Sequence, residues 1–402
     1  MISQNTNLSR LFDNIARNYT DFATYSEPSF DYLNRSSRPE INIVRNNLEV
    51  WYNRYPLDKR KDIYSRFRSS KDHEHRSAFF ELCLHELMLR LGCKIDIHPR
   101  LNNKKEKLPD FLVEPPNGNS FYLEAAASEF KPQREKNGQQ ILNRVYDFLN
   151  SQKELLASKF QIGIGVHVLP KKQISPNDIK NFIMNHFNKL DYKNLLDIYD
   201  SKQYEAIPRW VYRNDDIHIE ITPAPIYPNE NKNKVIYCIY TPFHLVEREK
   251  YIRAIIKKKA ASFGKLNRPY VIAINMLSSF ANREDILDAL YGNSACHYSF
   301  NKANKLEMPK VEAIRIPNGT WIDKTGPIYK RVSAVLVFNN LYPWNFHTAS
   351  VCLYHNPWAE KPYDSILTLM PQAQMKNFRM VWTEGKSLAS IFDLAKEWPQ
   401  KD

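Results

Sequence analysis

The chain has 402 residues, 43% of them hydrophobic and 25% charged, enough for one large domain or two to three smaller ones. Lys and Arg outnumber Asp and Glu by 57 to 44, giving a net charge of +13 and a pI near 9.3, a surplus that suits a polyanionic partner because each neutralised phosphate releases counterions. With only 10 glycines and no GxGxxG or GxxxxGK[ST] run, a Rossmann or P-loop reading is excluded; five cysteines without a CxxC pair exclude a zinc ribbon and fit reduced thiols in a cytoplasmic chain, and no apolar run reaches the roughly 18 residues that span a membrane.

In chain order, residues 1 to 75 form a polar and aromatic lead-in, with helices expected at Leu8–Arg17 and Ile41–Tyr52. Ser77–Leu91 reads as a helix, since Phe80, Leu84, Leu87 and Leu91 share one stripe and Gly92 stands at the C-terminal capping position. Cys93–His98, Asp110–Val113 and Phe121–Ala126 read as three short strands. A Lys-rich turn, Leu101–Leu108, separates the first two, and Pro115, Pro116, Asn117 and Gly118 separate the last two. Glu135–Gln152 is expected as an amphipathic helix and Gln161–Leu169 as a fourth strand. A helix at Ser175–Leu190 follows, capped by Ser175 with Pro176 behind it. Beyond it come strands at Ile217–Ile221 and Val235–Tyr240, a basic helix at Val246–Phe263 with Lys257, Lys258 and Lys259, and a strand at Tyr270–Ile274. A helix at Arg283–Tyr291 and strands at Val332–Phe338 and Val351–Tyr354 complete a mixed α/β pattern.

Three acids stand where metal-assisted phosphodiester cleavage would need them. Such chemistry requires carboxylates on rigid strands to hold a hard cation beside the scissile phosphate. Asp110 opens the second strand, and Glu124 lies on the third, where a hairpin-like return brings the two side by side. Period-two alternation turns Leu123 to the core and Glu124 to the opposite face with Tyr122 and Ala126. Glu81, on the preceding helix, shares a face with His85 and Met88. Two of the acids also have a plainer use, Asp110 after Pro109 starting a turn and Glu81 serving as a surface acid, whereas Glu124 is hardest to dismiss. His85 and His98 are more simply structural, and Trp210, Tyr212, Tyr237 and Tyr240 more simply core than base-stacking.

Phe80-Glu81, His85-Glu86-Leu87, Leu91-Gly92, Ile97-His98-Pro99, Pro109-Asp110-Phe111 and Tyr122-Leu123-Glu124-Ala125-Ala126 together resemble the core of the PD-(D/E)xK nucleases, over Ser77 to Pro170. The resemblance implies a restriction-endonuclease-like α/β fold, a mixed central sheet flanked by helices in the order helix–strand–strand–strand–helix–strand. It divides the chain into a helical region over 1–75, a nuclease core over 76–170 and an α/β region over 171–402. It further implies that Asp110 and Glu124 bind Mg²⁺ or Mn²⁺, that Glu81 is the helix acid, and that the substrate is nucleic acid, DNA before RNA. A setting in bacterial restriction or anti-phage defence and a homo-oligomer follow by analogy. One departure matters: the family's Lys, two residues after the second acid, is Ala126 here. Lys131 is the expected substitute, with Arg134 and Lys136 beside it and Lys257–Lys259 farther off. Without such a group, the chain would be an inactive relative that binds nucleic acid or a partner protein.

Overall fold

A computed structural model describes residues 8–101, 107–128, 133–152, 154–155, 158–228, 233–240, 248–277, 282–299, 310–376, 379–395 and 397–399. The elements up to the third strand are α1 (Ser29–Arg35), α2 (Pro39–Arg54), α3 (Arg60–Phe67), α4 (Asp72–Arg90), β1 (Lys94–Ile97), β2 (Phe111–Glu114) and β3 (Phe121–Ser128). Then come α5 (Gln133–Ser151), β4 (Phe160–Val168), α6 (Pro176–Phe187), α7 (Tyr192–Asp200), β5 (Trp210–Arg213), β6 (His218–Pro225) and β7 (Ile236–Tyr240). The remainder holds α8 (Arg248–Ala260), β8 (Tyr270–Met276), α9 (Arg283–Tyr291), β9 (Ser294–Ser299), β10 (Lys310–Arg315), β11 (Ile322–Asp323), β12 (Gly326–Pro327), β13 (Ala334–Asn339), β14 (Ser350–His355), β15 (Gln372–Lys376), β16 (Arg379–Thr383) and α10 (Leu388–Phe392).

The chain folds as two compact units. One comprises Met1–Asp21, Pro28–Phe130 and Glu247–Asp402, and the other Phe22–Glu27 and Lys131–Val246. This replaces the expected division at 75 and 170. The second unit interrupts the first in sequence between β3 and α8, so the expected nuclease core over 76–170 takes in residues of both units.

The first unit is built on a mixed eight-stranded sheet, β1-β2-β3-β8-β13-β14-β15-β16. β1, β2 and β3 are antiparallel neighbours, whereas β8 runs parallel to both β3 and β13. Successive side chains along each strand face opposite ways, and both faces are covered. Leu123, Val271, Leu336 and Leu353 pack with α1–α4 and α10. Tyr122, Ala126, Ile272 and Val335 pack with α8 and α9 through Ile252, Ile256, Ile286 and Leu290. β8 is buried along its whole length, as its apolar residues allow at the centre of a sheet, with the Asn275 side chain satisfied by the Leu341 backbone.

The second unit pairs four strands in the order β5-β6-β4-β7. The apolar row Ile162, Ile164, Ile219 and Ile221 packs with α5, α6 and α7. Ser175 caps α6 by accepting from Asp178 N–H at 3.3 Å, as its position before Pro176 requires. Trp210 and Tyr212 pack against this core. Here the sequence expectation needs correction: the strand at 160–168 does not complete the sheet of β1–β3. It carries Gln161, Gly163, Gly165 and His167 on one face and pairs with β6 and β7, and β8 takes the place beside β3.

The expected helix at Leu8–Arg17 is absent. Glu49 of α2 accepts from Leu11 N–H at 3.0 Å and Phe12 N–H at 2.8 Å, and Asn34 accepts from Asp13 N–H at 3.0 Å. These tertiary partners satisfy the backbone donors that a helix would have used. By contrast α4 ends as read, with Gly92 at φ 79° and Cys93 N–H returning to Met88 O at 3.0 Å. Among the described residues no helix is long and apolar enough to cross a membrane, and all five cysteines are free.

Candidate active site

The β2–β3 ladder pairs Phe111 with Leu123, and one step further along the same register Asp110 stands opposite Glu124. The two acids brace each other through the backbone. Asp110 N–H donates to Glu124 Oε2 at 3.2 Å, and Ala125 N–H donates to Asp110 Oδ2 at 2.6 Å. Glu124 is only 1% exposed, while Asp110 is partly buried at the strand end. His98, at φ 53°, extends the β1–β2 ladder by donating from its N–H to Asp110 O at 3.0 Å.

Glu124 faces α8, and α8 answers it with a cation. Lys259 Nζ lies 2.6 Å from Glu124 Oε1. The Lys259 carbonyl accepts from Tyr270 Oη at 3.2 Å, which ties the end of the helix to the strand beneath it. Lys259 thus occupies the electrostatic position expected of Lys131. Lys131 lies outside the described residues, and Arg134 and Lys136 belong to α5 of the second unit. A signal for Lys259 was present in the sequence. It falls on the inward stripe of α8 with Ile252 and Ile256, whereas Lys257 and Lys258 fall off that stripe and are exposed.

Burial is the main reason the Asp110 carboxyl is pushed up to about 6, with the neighbouring Glu124 charge second. Lys259, the Ala125 N–H and His98 oppose the rise. The two carboxylates therefore repel each other in a poorly hydrated corner, which is the condition that favours taking up a cation. Glu81 is 8% exposed and is held by Arg66 through two contacts, Nη1 to Oε1 at 2.8 Å and Nη2 to Oε2 at 2.6 Å. Its carboxyl is raised first by burial and also by Asp110, against the pull of Arg66. Glu81 is thus within electrostatic range of Asp110 but committed to an ion pair. His85 is buried beside Tyr55, with ring centroids 4.7 Å apart, and burial pushes it down to about 4. Burial thus favours its neutral form.

Among the described residues no group of three or more His, Cys, Asp or Glu side chains converges as a ready metal site. The donors present do suit a hard divalent ion in one respect. Two strand-borne carboxylates lie side by side, and an ammonium already sits on one of them as a stand-in cation. No family model, curated protein or solved structure matches this chain.

Proposed function

We propose that the first unit is a metal-dependent nuclease of PD-(D/E)xK type in which Lys259, arriving from α8, replaces the missing strand lysine. The observation that carries the reading is the convergence of Asp110, Glu124 and Lys259 within hydrogen-bonding reach. The element order supports it as well. α4, β1, β2 and β3, followed after the inserted unit by α8 and β8 parallel to β3, reproduce the helix–strand–strand–strand–helix–strand order of a restriction-endonuclease-like core.

In this reading Asp110 and Glu124 hold Mg²⁺ or Mn²⁺. The bound cation would polarise the scissile phosphate and make water more acidic. The chain supplies the rest. The reciprocal backbone bonds fix the two carboxylates before substrate arrives. Lys259 turns its ammonium from Glu124 to the attacking water and the charge building on the phosphate oxygens. Glu81, fixed by Arg66, adds negative charge near Asp110 and so favours a cation there without touching substrate.

The test uses the full-length protein, a supercoiled plasmid and labelled oligonucleotides, with Mg²⁺ or Mn²⁺. Nicking or cleavage that disappears with chelator and in Asp110→Asn and Glu124→Gln proteins is expected. Cleavage surviving both substitutions overturns the reading.

One observation favours a second reading. The ammonium of Lys259 bonds directly to a carboxylate that is almost wholly buried. A closed pair of this kind also suits a non-cutting relative that binds nucleic acid or a partner protein by its basic surface. That reading expects salt-sensitive, chelator-insensitive DNA binding with no cleavage.

A further inference from the structure

A second ammonium reaches the same oxygen. Lys107 Nζ stands 4.0 Å from Glu124 Oε1, the atom that Lys259 Nζ contacts at 2.6 Å. The two lysines differ in setting: the Lys107 side chain is 51% exposed and that of Lys259 22%. Lys107 is held at its head by Ser262, donating to Oγ at 2.9 Å, while the Ser262 hydroxyl donates a hydrogen bond to Lys258 O at 3.0 Å. The Lys107 ammonium also lies 5.6 Å from the centroid of the Phe263 ring. These contacts hold a long, half-exposed side chain beside the Glu124 carboxylate. At 4.0 Å, Lys107 is too far for a hydrogen bond to Glu124, so its ammonium is not committed there.

The charges indicate what that ammonium is for. With Asp110 and Glu124 ionised and both lysines protonated, the four groups sum to zero. A divalent ion turns the set strongly positive, and Lys107 is the member with open solvent on one side. An anion entering from that side meets Lys107 before it meets Lys259.

We propose that Lys107 is a substrate-binding residue that grips a backbone phosphate of a nucleic-acid strand from the solvent side of Glu124, making a phosphodiester polyanion the ligand class. This deepens the nuclease reading and rests on it. Its role is separable from that of Lys259: Lys107 binds substrate, whereas Lys259 acts on the reacting groups.

The experiment compares wild type, Lys107→Met and Lys107→Arg as full-length proteins. Affinity for a fluorescein-labelled DNA duplex is measured in Ca²⁺, across about 50 to 200 mM salt. Cleavage is measured in Mg²⁺ or Mn²⁺. Lys107→Met is expected to weaken binding about three- to tenfold and to lower the log–log salt slope by about one, with Lys107→Arg restoring the slope. KM should rise while kcat stays within about threefold of wild type, the signature of lost substrate binding. A wild type that binds and cuts, with an unchanged salt slope in Lys107→Met, overturns the role of Lys107 and leaves the nuclease reading standing. A fall in kcat at unchanged slope likewise overturns it, by moving Lys107 into the chemistry. A wild type that binds no DNA overturns both.

Discussion

Replacing Lys259 by Met tests the pairing on which the site depends. At 2.6 Å and an effective dielectric of about 20, the attraction between the Lys259 ammonium and Glu124 is ~6 kcal/mol before desolvation is charged against it. Glu124, 1% exposed, would be left with the Asp110 N–H at 3.2 Å and the more distant Lys107. Breaking a buried pair by removing one partner costs ~3–5 kcal/mol. The low end applies here, because Lys259 is partly solvated and Lys107 can close in, so we expect ~3 kcal/mol. The assay is a double-mutant cycle with Glu124→Gln, read by hydrogen exchange of the β3 and β8 amides, because a chain of two units is not expected to unfold in a single step. The coupling should be about 2 kcal/mol or more. Adding Mg²⁺ or Mn²⁺ should stabilise Lys259→Met more than wild type, since the ion supplies the lost positive charge, while cleavage falls by about a hundredfold or more. If Glu124→Gln costs the same with and without Lys259, and Lys259→Met costs under about 1 kcal/mol, the pair does not exist in solution and the reasoning fails.

Three further outcomes follow from the same structure. Asp110 is raised to about 6 from an ordinary 3.8, so the folded state holds this proton more tightly than the unfolded chain does. The ionised carboxylate therefore subtracts up to ~3 kcal/mol above pH 6, and the deficit fades as pH falls towards 4. Asp110→Asn should be more stable than wild type at pH 8, lose that advantage near pH 4 in urea titrations, and gain nothing from Mg²⁺. Arg66→Met leaves the buried Glu81 carboxylate without its two bonds and should lower stability by ~3 kcal/mol, whereas adding Glu81→Gln should recover part of the loss in thermal melts. Gly292→Ala places a Cβ 1.8 Å from Ile316 O at φ 97°, and should destabilise the α9–β9 corner by ~2 kcal/mol or more, seen as faster proteolysis of that segment.

Local elements were legible wherever a short-range pattern determines them. The α4 stripe with Gly92, the β2–β3 return and the Ser175 cap all follow from neighbours within a few residues. What failed depends on distant partners. The segment at 8–17 is held by Glu49 and Asn34 and so forgoes its helix. β4 has the length and apolarity of a core strand, but nothing in its own residues says that it pairs with β6 and not with β3. The acids of the site were visible because both lie on one hairpin. The cation was legible only as one of three lysines on α8, because no local pattern announces a contact that spans 135 positions. Lys107 was hidden for the same reason, read only as part of a polar turn.

In the proposed nuclease reading, the absence of the strand lysine and the presence of Lys259 are two sides of one packing solution. Residue 126 lies two after Glu124, so its side chain points to the same face as that acid, where α8 covers the sheet. Ala126 sits in the cluster formed by Ile252, Ile256 and Ala260. A lysine at 126 would have to lay its stem through that apolar contact and force α8 away from the sheet. A small residue at 126 lets the helix settle close, and close seating of α8 is what brings the ammonium of Lys259 to Glu124 across a single hydrogen bond. On the proposed nuclease reading, position 126 and position 259 are therefore alternatives for placing one positive charge. Ala126→Lys in the Lys259→Met background should restore the charge without restoring the packing. If cleavage returns while β3 and α8 remain less protected from exchange, the charge is the functional requirement and the helix is its carrier; if neither returns, α8 itself is needed to shape the site.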